Sequence, residues 1–351
     1  MTLDTLVLRT GRRRRPWLSL CLLSLTILVV GWSALWLFAR YEAASRMDRW
    51  MASEATHGRD WSCPNRTIAG FPLDLHISCT HPAFSGKVGG VEVTATFGAL
   101  DAEVVLYQPK AVDAWIRGPL TLTREGEGDM AANWAALLIE ARLLSDDRAR
   151  VALVADDLTA TGADGRTNRV RHAELRAGPA PSRPPADRAY EIWLDLFDAA
   201  CPALDAVLGT PDPLSVEQRG VVTAVQDTAF EPWPRLLERW RQGGGAFDLD
   251  TLKLTKGDLK AEAQGVLGLD AEHRLSGRLQ TAVSGYESVA TRLGLPLHAV
   301  SVGGALAGLL GRKSSEPGKS MIGAIPLPVT LADGRMSIGP FKTPVRLDPL
   351  Y

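Results

Sequence analysis

Four cysteines in 351 residues are too few for a disulfide-stapled scaffold. The near balance of 39 Lys and Arg against 40 Asp and Glu, a formal charge of -1, leaves no basic field for a nucleic-acid partner. The chain also lacks G-x-S-x-G, S-x-x-K, H-E-x-x-H and C-x-x-C segments, so the local signatures of the common hydrolases, zinc proteases and thiol oxidoreductases are missing. An active site assembled from distant segments would leave no such trace, and a hydrolase stays open on that ground. What the chain does hold is 46% hydrophobic and 23% charged residues, enough for one or two ordinary cores.

The charge is unevenly placed. Arg9, Arg12, Arg13, Arg14 and Arg15 stand against a single Asp4 at the start, whereas from Tyr41 onward 33 basic residues meet 39 acidic ones, or -6. Between the two runs WLSLCLLSLTILVVGWSALWLFA, Trp17 to Ala39, 23 residues without a charge. At helical rise that is about 34 Å, against a hydrocarbon core of about 30 Å. The expectation is a spanning helix with residues 1–16 cytoplasmic, Arg12 to Arg15 holding that side, and Trp17 and Trp36 as interfacial anchors. Ala43-Ala44-Ser45 offers the competing reading of a cleaved signal peptide, although the apolar run is longer than the usual 7 to 15 residues. A second apolar stretch, Leu293 to Gly311, is broken by Pro296 and His298 and reads as a small-residue helix on a sheet, or as a lipid-touching surface.

Ala43, Met47, Trp50 and Glu54 continue at three- and four-residue steps, which predicts a helical stalk over 40–58. Beyond it the period changes to two. LDLHISC alternates Leu73, Leu75, Ile77 and Cys79 on one face, so Cys79 points inward from a strand. Cys63 and Cys79 are then either an extracytoplasmic disulfide, closing a loop of about 17 residues for roughly 3 kcal/mol, or two buried thiols. Cys201 is left unpaired and is assigned to the interior. Strands are expected near 73–80, 91–97, 102–107, 150–160 and 169–177, with a helix from about Asp129 to Leu144. Pro179 to Arg188, four prolines in ten residues, reads as a connector between a first lobe, 59–178, and a second, 189–351.

The second half opens with the alternating YEIWLDLF, then a helix over about Pro232 to Arg241 stopped by Gly243 to Gly245. Trp134-x-x-Leu137-Leu138 and Trp233-x-x-Leu236-Leu237 echo each other as two helices between strands, as a duplication or by chance. In LKAEAQGVLGLDAEHRLSGRLQTAV, Leu259, Leu267 and Leu269 precede a turn and Leu275, Leu279 and Val283 return on the same face, with Lys260, Glu262, Gln264, Arg274 and Arg278 opposite. Asp333-Gly334 centres a last hairpin, because both residues tolerate positive φ; the register then sets Leu331 against Met336 and Val329 against Ile338. The fold class is α+β: an N-terminal transmembrane helix, then a predominantly antiparallel β exterior with helices covering one face.

No catalytic, cofactor or metal set emerges. Gly318-Lys319-Ser320 resembles the tail of a phosphate loop, but position 313 is Lys where that loop needs glycine. His76 and His81 lie five residues apart, off both helical and strand ligand spacing, and read as surface histidines. Asp146-Asp147 and Asp156-Asp157 are neighbours whose side chains diverge on a strand.

The Arg-rich start, single span, amphipathic stalk and CPNRTIAGFPLDLHISC (Cys63 to Cys79), with Gly70-Phe71-Pro72 as its most specific part, resemble domain-of-unknown-function family 2125 over nearly the whole chain. That resemblance implies a membrane-anchored envelope protein of Gram-negative bacteria and carries no catalytic residues. More loosely, the 259–283 and 327–341 hairpins resemble AsmA-like envelope proteins, which implies long sheets curled round an apolar groove that handles lipid. The expectation is therefore a non-enzymatic inner-membrane protein with a periplasmic sheet whose groove, lined by Leu259 to Val283 and near Gly303 to Gly311, meets lipid or an envelope component. A ligand-free scaffold with a sealed core is the alternative, and a periplasmic hydrolase the third reading.

Overall fold

The computed structural model of the chain describes residues 16–88, 91–126, 128–144, 148–225, 233–285, 325–339 and 341–351. Arg12 to Arg15, Asp146-Asp147, Leu293 to Gly311 and Gly318-Lys319-Ser320 lie outside the described residues.

One helix, α1 (Pro16–Thr56), carries both the apolar run and the stalk without a break. Its Leu, Ile and Val side chains are exposed as far as Phe38, which suits a helix long and apolar enough to span a membrane. Past Tyr41 the surface changes to ion pairs, with Glu42 accepting from Arg46 at 2.8 Å and Arg49 at 3.2 Å.

Twenty strands follow. The first half holds β1 (Arg59–Ser62), β2 (Thr67–Ala69), β3 (Asp74–Thr80), β4 (Ala83–Val88), β5 (Val91–Thr96), β6 (Ala99–Val105), β7 (Ala111–Arg117), β8 (Leu120–Arg124), β9 (Gly128–Asn133), β10 (Ala136–Leu143), β11 (Ala149–Thr161) and β12 (Thr167–Pro179). Next come β13 (Tyr190–Ala200), α2 (Pro202–Leu208), β14 (Leu214–Val222), α3 (Trp233–Gln242), β15 (Phe247–Lys256), β16 (Leu259–Leu269) and β17 (Leu275–Ser284). The chain ends with β18 (Ile325–Ala332), β19 (Arg335–Ile338) and β20 (Phe341–Arg346).

All described pairings are antiparallel, and β11 is their junction. Its first part pairs with β10, while Thr159–Thr161 pairs with β9. One branch runs β11-β10-β7-β6-β3-β2, the other β11-β9-β8-β5-β4-β1. The Cys63–Cys79 disulfide, with a Cα–Cα distance of 5.2 Å and Cys79 buried, joins the end of β1 in one branch to β3 in the other. The stalk backs this closure. Trp50 packs on Trp61 at 5.7 Å, Trp61 on Phe84 at 4.7 Å, and Arg59 donates two hydrogen bonds to Glu54, at 2.6 and 2.9 Å. These hold the Glu54 carboxyl below its usual range.

From β11 to β20 the sheet is one meander. It does not stop at the Pro-rich connector: β12 and β13 pair from Arg169–Ala200 to Pro179–Tyr190, and the intervening residues form a loop with one 3-10 turn at Pro185–Asp187. Among the described pairings four register shifts, at Leu196/Ala199, Arg219/Gly220, Leu249/Leu252 and Arg335/Ser337, bend it.

The expected helix over Asp129 to Leu144 is absent; the segment is β9 and β10 with a corner at Trp134 and Ala135. Its Ala, Leu, Met, Glu and Arg are good helix formers, but Leu137, Ile139, Ala141 and Leu143 also fit a period of two, and pairing with β7 and β11 on both sides decides for strand. The Trp134 half of the helical echo fails with it. Trp134 instead donates its indole N–H to the Ile116 carbonyl at 2.6 Å, and only Trp233 stands in a helix. Helices cover little of the sheet: among the described residues α3 alone lies over a sheet face.

Both C-terminal hairpins take the expected register. Leu269 faces Leu275 and Leu267 faces Gly277, Val329 faces Ile338 and Leu331 faces Met336, with Asp333 at φ 52° and Gly334 at 69°.

Candidate functional site

Directly opposed residues of an antiparallel sheet share a face, so the registers can be followed from strand to strand. One row passes Val112, Ala141, Val151, Ala177, Ile192, Gly220, Leu249, Gly265, Leu279 and Val329. A parallel row passes Ala114, Ile139, Leu153, Leu175, Leu194, Gln218, Leu252, Ala263 and Thr281. Both belong to the same face, which is apolar across at least eleven consecutive strands and is joined through β6 to Leu75 and Ile77 of β3. Gln218 and Thr281 are the polar members of these rows, and Gln218 donates to the Ile192 carbonyl at 3.3 Å.

The opposite face is a ladder of charges. Arg142 binds Asp113 at 2.5 Å, Arg176 pairs with Glu174, and Arg219 grips Asp195 through two bonds, at 2.8 and 3.0 Å, while lying over the Trp193 ring at 5.1 Å. These hydrogen bonds raise the affinity of Arg142 and Arg219 for their protons. A wet face of this kind needs no covering layer.

Among the described residues the apolar face has little cover either. Most of its residues are half-buried, and Val151 and Leu175 are more exposed still. Leu259, Leu267, Leu269, Leu275, Leu279 and Val283 all lie on it and are all half-buried, while Lys260, Gln264 and Arg278 are exposed opposite. Leu267 and Leu279 each stand across from a glycine, Gly277 and Gly265. A Cβ at either glycine would come within 2.1 Å of the neighbouring strand's carbonyl oxygen, so two leucines and two bare backbones alternate there.

Among the described residues, α3 lies over this face. Leu236, Leu237 and Trp240 hang over Ile192, Val222 and Phe247, leaving an apolar cavity of about 370 Å³. That volume is in the range of small-ligand sites. Phe247, which lines the cavity, pairs with Leu267 of the neighbouring strand. Two ties hold α3. Trp240 donates its indole N–H to the Thr223 carbonyl at 2.8 Å. Two residues earlier Glu238 accepts from Arg241 at 2.7 Å and from the Tyr351 hydroxyl at 2.9 Å, and Tyr351 stacks on His273 at 4.4 Å. These donors pull the Glu238 carboxyl down to about 2. Nothing in the sequence marked Tyr351, or Val222 and Phe247, as part of such an arrangement, since their partners are distant in the chain.

At the membrane end Trp36 differs from expectation. It is only 7% exposed, packs edge-on against Phe71 at 5.7 Å and donates its indole N–H to the Asp74 carbonyl at 3.0 Å. Trp32 donates likewise to the Pro72 carbonyl at 2.8 Å, so the first strand of the apolar face is pinned to the apolar helix. Trp17 is exposed.

The polar groups among the described residues pair locally. His76 lies 3.3 Å from Asp101, His172 bonds Asp156 at 2.6 Å, and Asp157 occupies a positive-φ break in β11. Cys201 is half-buried at the start of α2. Among the described residues no three His, Cys, Asp or Glu side chains are placed to hold a metal ion.

No curated protein and no solved structure matches the chain, so the looser AsmA-like resemblance rests on strand pattern alone. A family model does match residues 36–345, and the chain accordingly belongs to the family described as an uncharacterized protein conserved in bacteria (DUF2125).

Proposed function

We propose that the protein is a non-enzymatic lipid-binding protein of the bacterial inner membrane, with α1 as its anchor and the sheet in the periplasm, and that the apolar face holds acyl chains. The observation that carries this reading is the continuity of an apolar face from β3, where Leu75 is buried and the strand is pinned to the apolar helix, across the largely half-buried strands that follow to the cavity beneath α3. Eleven strand-to-strand steps separate β3 from β18, about 50 Å along the sheet at the usual strand spacing. The path is long enough for several acyl chains, and leaving it to water would forfeit about 25 cal/mol for each Å² of apolar surface. The Cys63–Cys79 disulfide supports an oxidising compartment, in agreement with the basic residues before the helix remaining on the cytoplasmic side.

The test is photo-crosslinking of the full chain in proteoliposomes with a phospholipid carrying a diazirine on its acyl chain. Adducts should map to β12–β17 as well as to α1, and Leu267→Glu or Leu279→Glu should remove those on the sheet. Adducts confined to α1 would refute lipid in the groove and favour the scaffold reading.

A further inference from the structure

The loop between β2 and β3 faces an unusual environment. Residues 68–73, IAGFPL, carry no charge, yet Phe71 is 54% exposed and Leu73 49%. The neighbouring loop after β6, LYQP, is also uncharged, and Tyr107 there is 69% exposed. The two loops are one surface, because the Leu106 N–H donates to the Leu73 carbonyl at 2.9 Å. Leu143 adds a further exposed apolar side chain beside them, its N–H bonded to the Lys110 carbonyl at 2.7 Å. A soluble rim would not place two aromatic and two leucine side chains together in water.

The depth of this rim can be read from what holds it. Pro72 is bonded to Trp32 and Asp74 to Trp36, and both tryptophans lie inside the uncharged run, whose first following charge is Arg40. At helical rise Trp32 is about 12 Å, and Trp36 about 6 Å, on the membrane side of Arg40. A loop fastened at that level occupies the boundary between headgroups and acyl chains, where interfacial elements bury their apolar faces by roughly 5–10 Å. The loop is also rigidly shaped. Gly70 has φ +104°, a Cβ there would lie 2.6 Å from the Asp74 carbonyl oxygen, and the Asp74 N–H closes the turn onto the Gly70 carbonyl at 2.9 Å.

We infer that Phe71, Leu73 and Tyr107 form a second membrane contact, inserted into the interfacial layer of the same leaflet through which α1 leaves the bilayer. The sheet then stands on the membrane at two points and cannot swing about the stalk. This contact does not depend on lipid occupying the apolar face.

Single cysteines at Leu73, Tyr107, Val29 and Arg166, introduced into full-length protein with Cys21→Ala and Cys201→Ala and the disulfide intact, would carry an environment-sensitive fluorophore in phosphatidylcholine vesicles. A lipid with a nitroxide high on its acyl chain should quench the Leu73 and Tyr107 probes by about twofold or more, as expected for interfacial depth. Arg166, in the turn at the other end of β11, should stay unquenched, and Val29 should be quenched best by a nitroxide near the chain end. Tyr107, the more exposed of the two, guards against misfolding at Leu73. Probes at both loop positions that behave like Arg166 while Val29 is quenched would overturn the inference.

Discussion

Lys256, the last residue of β15, is 0% exposed, and its ammonium donates to an Asp205 carboxylate oxygen and to the Asp212 carbonyl, both at 2.5 Å. It therefore ties the end of the sheet to α2 and to the loop that follows. Lys256→Met keeps most of the volume but leaves Asp205 without its cation. Removing one member of a buried pair costs about 3–5 kcal/mol. The Asp205 side chain is 22% exposed and water can replace part of the loss, which lowers the expectation to about 2–3 kcal/mol. For a folded unit of this size the apparent melting temperature should fall by about 3–5 °C. The assay is thermal unfolding of the detergent-solubilised full chain, followed by tryptophan fluorescence. The double variant Lys256→Met with Asp205→Asn should recover much of the loss, since no charge is then stranded. A Lys256→Met protein that melts with the wild type would refute the reasoning, because it would mean that the amine is hydrated and the α2 loop is held by other contacts.

Three further outcomes are expected. Cys79→Ser should lower stability by about 3 kcal/mol, the loop-closure value, and loosen the β1 edge of the forked sheet; urea unfolding and protease nicking near residues 59–66 would measure it. Gly70→Ala should destabilise by about 1–3 kcal/mol through strain at positive φ, and an unchanged urea midpoint would contradict the loop geometry. Glu238 has its carboxyl lowered from 4.5 to about 2 chiefly by Arg241 and then Tyr351, so its contribution is complete above about pH 4.5 and is lost as the pH falls toward 2. Tyr351→Phe should raise that carboxyl and flatten the acid limb of the stability profile, and an identical profile would refute the tie.

Some of this fold was legible residue by residue. The apolar run and the stalk share one helical period, and α1 follows them from Pro16 to Thr56. Leu75 and Cys79 face inward as their alternation requires, and the Asp333-Gly334 turn alone was enough to place Val329 opposite Ile338. The leucines of 259–283 share one face for the same reason: a hairpin carries both of its strands in one short stretch of chain. The segment from Ala136 to Leu143 was misread because its composition suits a helix, and the strands that claim it, β7 and β11, are elsewhere in the sequence.

By itself, then, the sequence determined the elements whose partners are adjacent in the chain: the helix, the tight hairpins, the cysteine-bounded strand and the alternation of apolar with polar faces. Tertiary structure alone decided what those faces meet. The fork at β11, the burial of Trp36 against the Phe71 loop, the ion pair of Lys256 and the joining of separate strands into one apolar path all depend on pairings between distant residues. A local period states which side of a strand is apolar, but only the assembled sheet sets whether that side is filled, covered or left open.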